Sequence, residues 1–106
     1  MRRGELWTVS GAGYAGKPRP ALIVQSDEFA SNDSVLVCPV TSDETESSIR
    51  PVVRPSALNG LRVQSQLMVD KVSAVPRARI GRQTGVIEPE TVAEVERALL
   101  VIFGLA

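Results

Sequence analysis

The chain has 106 residues, 43% of them hydrophobic, with twelve basic and twelve acidic side chains and no histidine. That is enough for one domain, spanning residues 1–106, with a small core. The absence of histidine removes Ser-His and Cys-His catalysis, histidine acid–base chemistry and nearly all zinc sites.

The neutral total hides strong segregation. Six acids and no base lie between positions 27 and 46, seven bases face Asp70 alone between 50 and 82, and four acids follow between 88 and 96. A basic middle of this kind meets an anionic polymer if it folds onto one face. The single cysteine, Cys38, excludes an intrachain disulfide and, inside an apolar run, reads as a buried structural thiol. The first five residues lack the apolar core of a signal peptide, and the longest apolar run, residues 98–103, is too short to span a bilayer. A cytoplasmic protein with no membrane contact is the expectation.

In chain order, Glu5-Leu6-Trp7-Thr8-Val9 reads as a first strand. The glycine-rich loop 10–16 that follows matches neither a P-loop nor a Rossmann fingerprint, and Tyr14 at its centre is placed to stack on a base. Next comes Lys17-Pro18-Arg19-Pro20, a basic turn entering an apolar strand over 19–26. Each proline locks its own φ, and Pro20 pushes Arg19 into an extended conformation, so a planar guanidinium stands on a stiffened backbone. Such a fork suits a phosphate or a carboxylate. A short turn over 27–32 leads to a third strand, 35–40, and both apolar strands call for cover on two faces. The acidic loop 41–48 fits no calcium-binding spacing and reads as solvated.

A fourth strand is expected over 49–53, near an edge because of Pro51, and Asn59-Gly60 marks a turn. Further strands are expected over 63–71 and 79–87, joined around Val75-Pro76-Arg77. Glu88-Pro89-Glu90-Thr91 then opens a helix, proline at its first position, with Val92, Val95, Leu99 and Ile102 along one face. Leu100, Val101 and Phe103 make its end apolar nearly all round, which predicts a subunit interface. Many short strands and one terminal helix give a mainly β fold, a small SH3-like barrel with a C-terminal α-helix. The lack of helices between strands excludes a doubly wound fold.

The order of motifs resembles a known family. Arg3-Gly4-Glu5-Leu6-Trp7, Pro18-Arg19-Pro20-Ala21-Leu22-Ile23-Val24, Cys38-Pro39-Val40-Thr41-Ser42, Leu58-Asn59-Gly60-Leu61 and Met68-Val69-Asp70-Lys71 are similar to successive signatures of the MazF/PemK (Kid-like) toxins. The resemblance covers nearly the whole chain. It implies a homodimeric, metal-free endoribonuclease that needs no cofactor, cuts single-stranded RNA at short sequences, and is blocked by a cognate antitoxin protein. It also implies catalytic roles for Arg19, Thr41 and Asp70. Beside that resemblance, Tyr14, Lys17, Ser42, Arg77 and Arg79 stand as candidate substrate-binding residues. The family's R-x-D pair reads Met68-Val69-Asp70 here, so its arginine is missing.

The residues suit that chemistry. RNA is cut without metal when its own 2′-OH attacks the adjacent phosphorus, leaving a 2′,3′-cyclic phosphate and a 5′-OH. Arg19 supplies a double donor to the charge that develops, and Thr41 a short hydroxyl donor. The general base is open between Asp70, another carboxylate and Arg19 itself. A second resemblance, over residues 68–76 and Ile102-Phe103-Gly104-Leu105, is to CcdB, a DNA gyrase poison of the same fold that is not a nuclease. The Arg19 and Thr41 pair, which such a poison does not need, favours the nuclease.

Overall fold

Seven strands, β1 (Glu5–Val9), β2 (Arg19–Ile23), β3 (Ser34–Thr41), β4 (Val52–Val53), β5 (Ser65–Leu67), β6 (Ser73–Pro76) and β7 (Ile80–Val86), precede one helix, α1 (Pro89–Ile102), in the computed structural model, which describes residues 1–11 and 17–106. The strands run β4-β5-β3-β2-β1-β7 across one curled antiparallel sheet, with β6 added along β3. β3 is the hinge of this arrangement. Its residues Val37 to Pro39 pair with β2, Ser34 to Val37 with β6, and Val40 and Thr41 with β5. Two register irregularities between β1 and β7 add the local twist that curls the far edge. The expected small barrel with a terminal helix is what forms.

Alternation along β1, β2 and β3 sends apolar side chains to both faces, and each face has its own core. Leu6, Leu22, Cys38 and Leu67 stand on one side, covered by Val95 and Ala98 of α1, with Ile87 and Val69 between. Val9, Ala21, Ile23, Val35, Val37 and Val75 form the other, closed by Trp7 and Ile80. Each fully buried leucine or isoleucine in these clusters is worth about 1.5–3 kcal/mol. Burial pushes the Cys38 thiol up to about 12, so it stays protonated at neutral pH and behaves as packing.

Two expected strands are shorter, and one strand forms where a connection was expected. The run 63–71 forms a strand only as far as Leu67, and Val69–Lys71 is a single 3-10 turn. The cause is Pro39 in β3, which accepts from the Met68 N–H at 2.9 Å but has no N–H to return. The ladder stops there and the chain turns back. Ser73–Pro76, expected as a connection, is instead β6, a strand with one buried residue and therefore no visible alternation. The strand expected over 49–53 is reduced to Val52–Val53 because Pro51 contributes only its carbonyl, accepting from Leu67 N at 3.0 Å.

The loop 56–61 is pinned to the start of α1 by one buried side chain. Asn59 donates from Nδ2 to the Arg54 carbonyl (2.9 Å) and to Glu88 Oε1 (3.0 Å), and its Oδ1 accepts from the N–H groups of Ser56 (3.1 Å) and Leu61 (3.0 Å). Ser56 Oγ completes the cluster by donating to Glu88 Oε2 at 2.5 Å. The same loop lies so close to β7 that a Cβ on Gly60 would stand 2.5 Å from the Thr84 carbonyl oxygen, and one on Gly85 2.2 Å from that of Asn59. Only glycine fits at either point. On α1 the buried face is Val92, Val95, Ala98 and Leu99, whereas Ile102, expected on that face, is 40% exposed. Leu100, Val101, Phe103 and Leu105 are exposed as well, so the helix end is left uncovered by the barrel.

Candidate active site

The register of β2 on β3 decides what faces what. Ala21 pairs with Pro39, so two positions further toward the strand ends Arg19 falls opposite Thr41. Both side chains line one pocket of about 270 Å³, together with Pro39, Val40, Ser42, Asp43 and Met68. Arg19 is exposed and Thr41 half-buried. Among the described residues the Arg19 guanidinium has no ion-pair partner, so its donors are available to an incoming anion. The Thr41 hydroxyl accepts from the Asp43 N–H at 3.0 Å. That bond uses an acceptor lone pair and fixes the rotor, leaving the hydroxyl proton to be donated into the pocket.

Asp43 is the carboxylate that lines this pocket, and sequence reasoning missed it. It lay in a run of acids that read as a solvated loop. The signal available was its position two residues after Thr41, the spacing of a side chain–backbone turn. Asp70 does not line the pocket. It sits on the 3-10 turn after β5, where Arg50 grips it with two bonds, Nε to Oδ1 at 2.8 Å and Nη2 to Oδ2 at 2.9 Å. Those hydrogen bonds hold its carboxyl below the usual range, which makes it a poor proton acceptor. Arg50 thus meets the aspartate that the missing arginine at position 68 leaves without its usual neighbour.

The remaining candidates scatter. Ser42 shares the Arg19–Thr41 pocket. Lys17 is exposed just before Pro18, and Tyr14 lies outside the described residues. Arg77 is committed to the backbone, donating from Nε to the Asn32 carbonyl (3.0 Å) and from Nη2 to the carbonyls of Asn32 and Ala30. Its donors hold the turn after the 3-10 segment Asp27–Phe29. Arg79 is exposed with its side chain against Gly11, at the entrance to the glycine-rich loop. The basic middle therefore does not share one face. Arg50 and Arg54 line a groove with Glu94 and Arg97 beside α1, and Arg62 and Arg82 line another beside Pro18 and Pro20. Chain reversals at 60–62 and 77–79 send neighbouring bases to different sides.

A curled antiparallel sheet closed by a C-terminal helix is the architecture of a class of small toxins. The chain belongs to the family of PemK-like, MazF-like toxins of type II toxin–antitoxin systems, whose model matches residues 2–103. It is 40% identical over 108 residues to a Mycolicibacterium smegmatis protein described as "Probable endoribonuclease MazF", covering 100% of this chain and 99% of that one. Among solved structures, a mycobacterial endoribonuclease in complex with its cognate antitoxin superposes with a TM-score of 0.84 at 20% identity, covering 100% of this chain and 97% of the other. A Mycobacterium tuberculosis MazF toxin gives 0.83 at 23% identity, with 96% and 98% covered. These two likenesses speak to the fold.

Proposed function

We propose that this toxin, an endoribonuclease by its family and its 40% identical relative, cuts single-stranded RNA at short sequences without a metal or other cofactor, and that the Arg19–Thr41 pocket is where it cuts. The observation that carries the reading is the convergence of Arg19, Thr41 and Asp43 on one pocket. The ribose 2′-oxygen attacks the adjacent phosphorus as its proton passes to the Asp43 carboxylate. The P–O5′ bond breaks, the 5′-oxygen takes up a proton, and a 2′,3′-cyclic phosphate remains. Arg19 donates to two non-bridging oxygens as charge gathers there, and Thr41 donates to the same group. Preorganised donors of this kind are worth ~3 kcal/mol each in the transition state.

The same reading assigns a homodimer joined through the exposed end of α1, and a cognate antitoxin that covers the pocket. A structural neighbour that is an endoribonuclease in complex with its cognate antitoxin supports the existence of such a partner. The gyrase-poison reading has only the exposed C-terminal residues in its favour, and the family match weighs against it. Incubating the protein with mixed-sequence RNA in EDTA tests the proposal. Fragments ending in 2′,3′-cyclic phosphate and beginning with 5′-OH are expected, and a single 2′-deoxy substitution at the cut site should abolish cutting there. Equal cutting of the deoxy substrate would refute the mechanism.

A further inference from the structure

We infer that the groove beside Pro18 and Pro20 is a second subsite of the same enzyme, binding the backbone of single-stranded RNA a few nucleotides from the cut phosphate. The inference rests on the reading of the Arg19–Thr41 pocket as the place of cutting. The groove measures about 570 Å³ and is lined by Pro18, Pro20, Leu61, Arg62, Arg82 and Thr84. It adjoins the pocket through β2 itself. Successive residues of an extended chain point to opposite faces, so Pro18 and Pro20 line the groove while Arg19 between them lines the pocket. Among the described residues, the Pro18-Arg19-Pro20 segment is thus shared between groove and pocket.

The groove's chemistry selects a polyanion with flat faces. Arg62 and Arg82 are both exposed, and among the described residues neither guanidinium takes part in a salt bridge or a side-chain hydrogen bond. Two unneutralised arginines facing two proline rings offer phosphate contacts on one wall and an apolar platform for a ribose or base on the other. The backbone beneath both arginines is fixed. Arg62 follows the loop that Asn59 pins and that the Gly60–Gly85 contact locks onto β7. Arg82 is anchored by its own N–H, which donates to Thr8 Oγ1 at 3.0 Å. A fixed backbone at both positions confines the freedom lost on binding to the two side chains.

The test compares wild type with Arg62→Ala/Arg82→Ala and Arg62→Lys/Arg82→Lys, each first shown to melt like the parent. The probe for binding is a fluorescent 12-nucleotide RNA fully 2′-O-methylated, which cannot be cut. The alanine variant should bind it at least about tenfold more weakly, and the slope of log Kd against log salt should fall by about 1.4, the counterions of two single-strand phosphates. The lysine variant should keep most of the slope. In cleavage, kcat/KM on a long RNA should drop while that on the shortest cleavable oligonucleotide is unchanged. An unaltered Kd and slope in the alanine variant overturns the inference, and so does an equal loss on short and long substrates. Should wild type cut no RNA, the nuclease reading fails by itself, and the binding slope still decides the groove.

Discussion

Prolines on both sides of Arg19 take away the freedom that an exposed arginine ordinarily keeps. If Arg19 and Thr41 act on one phosphate, Arg19→Ala should lower cleavage roughly 10²–10³-fold with the fold intact. Arg19→Lys should rescue little, because an ammonium cannot present the fork. Thr41→Ser should retain most activity and Thr41→Ala should not, with the double alanine variant little worse than Arg19→Ala alone. Single-turnover cleavage of a short RNA measures all five. The same assay separates the carboxylates: Asp43→Asn should lower kcat, while Asp70→Asn, outside the pocket, should leave kcat nearly unchanged. Arg19 stood out in the sequence because prolines constrain it locally, and Thr41 through the motif it shares with the family. Asp43 and Arg77 were not legible, since charge alone does not say where a carboxylate points or whether a guanidinium's donors are already used. Arg77 looked like a substrate contact and is bonded to the carbonyls of Ala30 and Asn32.

At the scale of elements, the loop 56–61 and the start of α1 are one unit because Glu88 holds both. Ser56 and Asn59 donate to its carboxylate and lower its pKa from the ordinary value of 4.5. A depressed carboxylate contributes stability above its unfolded pKa, and that contribution disappears as pH falls through the folded value. Glu88→Gln should therefore be less stable than wild type at pH 7, and the difference should shrink in acid as pH falls through the lowered pKa. Urea unfolding at pH 7 and in acid reads the difference. The elements most visible in the sequence were those whose pattern repeats: β1 by alternation, and α1 by its proline start and 3.6-residue stripe. β6 and the turn at Val69–Lys71 were hidden, because what ends β5 is a proline on a different strand. No local pattern carries that information.

For the whole molecule, the uncovered end of α1 argues for a partner. Leu100, Val101, Phe103 and Leu105 are 45%, 48%, 66% and 73% exposed, a contiguous apolar end on a small barrel. A two-fold dimer through this surface is expected, and sedimentation at micromolar concentration should show it. Leu100→Asp/Phe103→Asp should sediment as a monomer with an unchanged far-ultraviolet spectrum. A wild type that stays monomeric would rule the interface out.

The divided service of β3 has a bearing on when the protein becomes harmful. Arg19 and Thr41 are both synthesised in the first half of the chain, but the strand that carries Thr41 is completed on its other edge by β5 and β6, made much later. Pairings between distant segments form late, because loop closure has to be met before contact repays it. A growing chain thus holds both residues, and the β2–β3 pairing that brings them together, before it holds the strands that complete the other edge of β3. If Arg19 and Thr41 are the cutting pair, activity waits on the strands that fix β3 and not on the synthesis of the two residues alone.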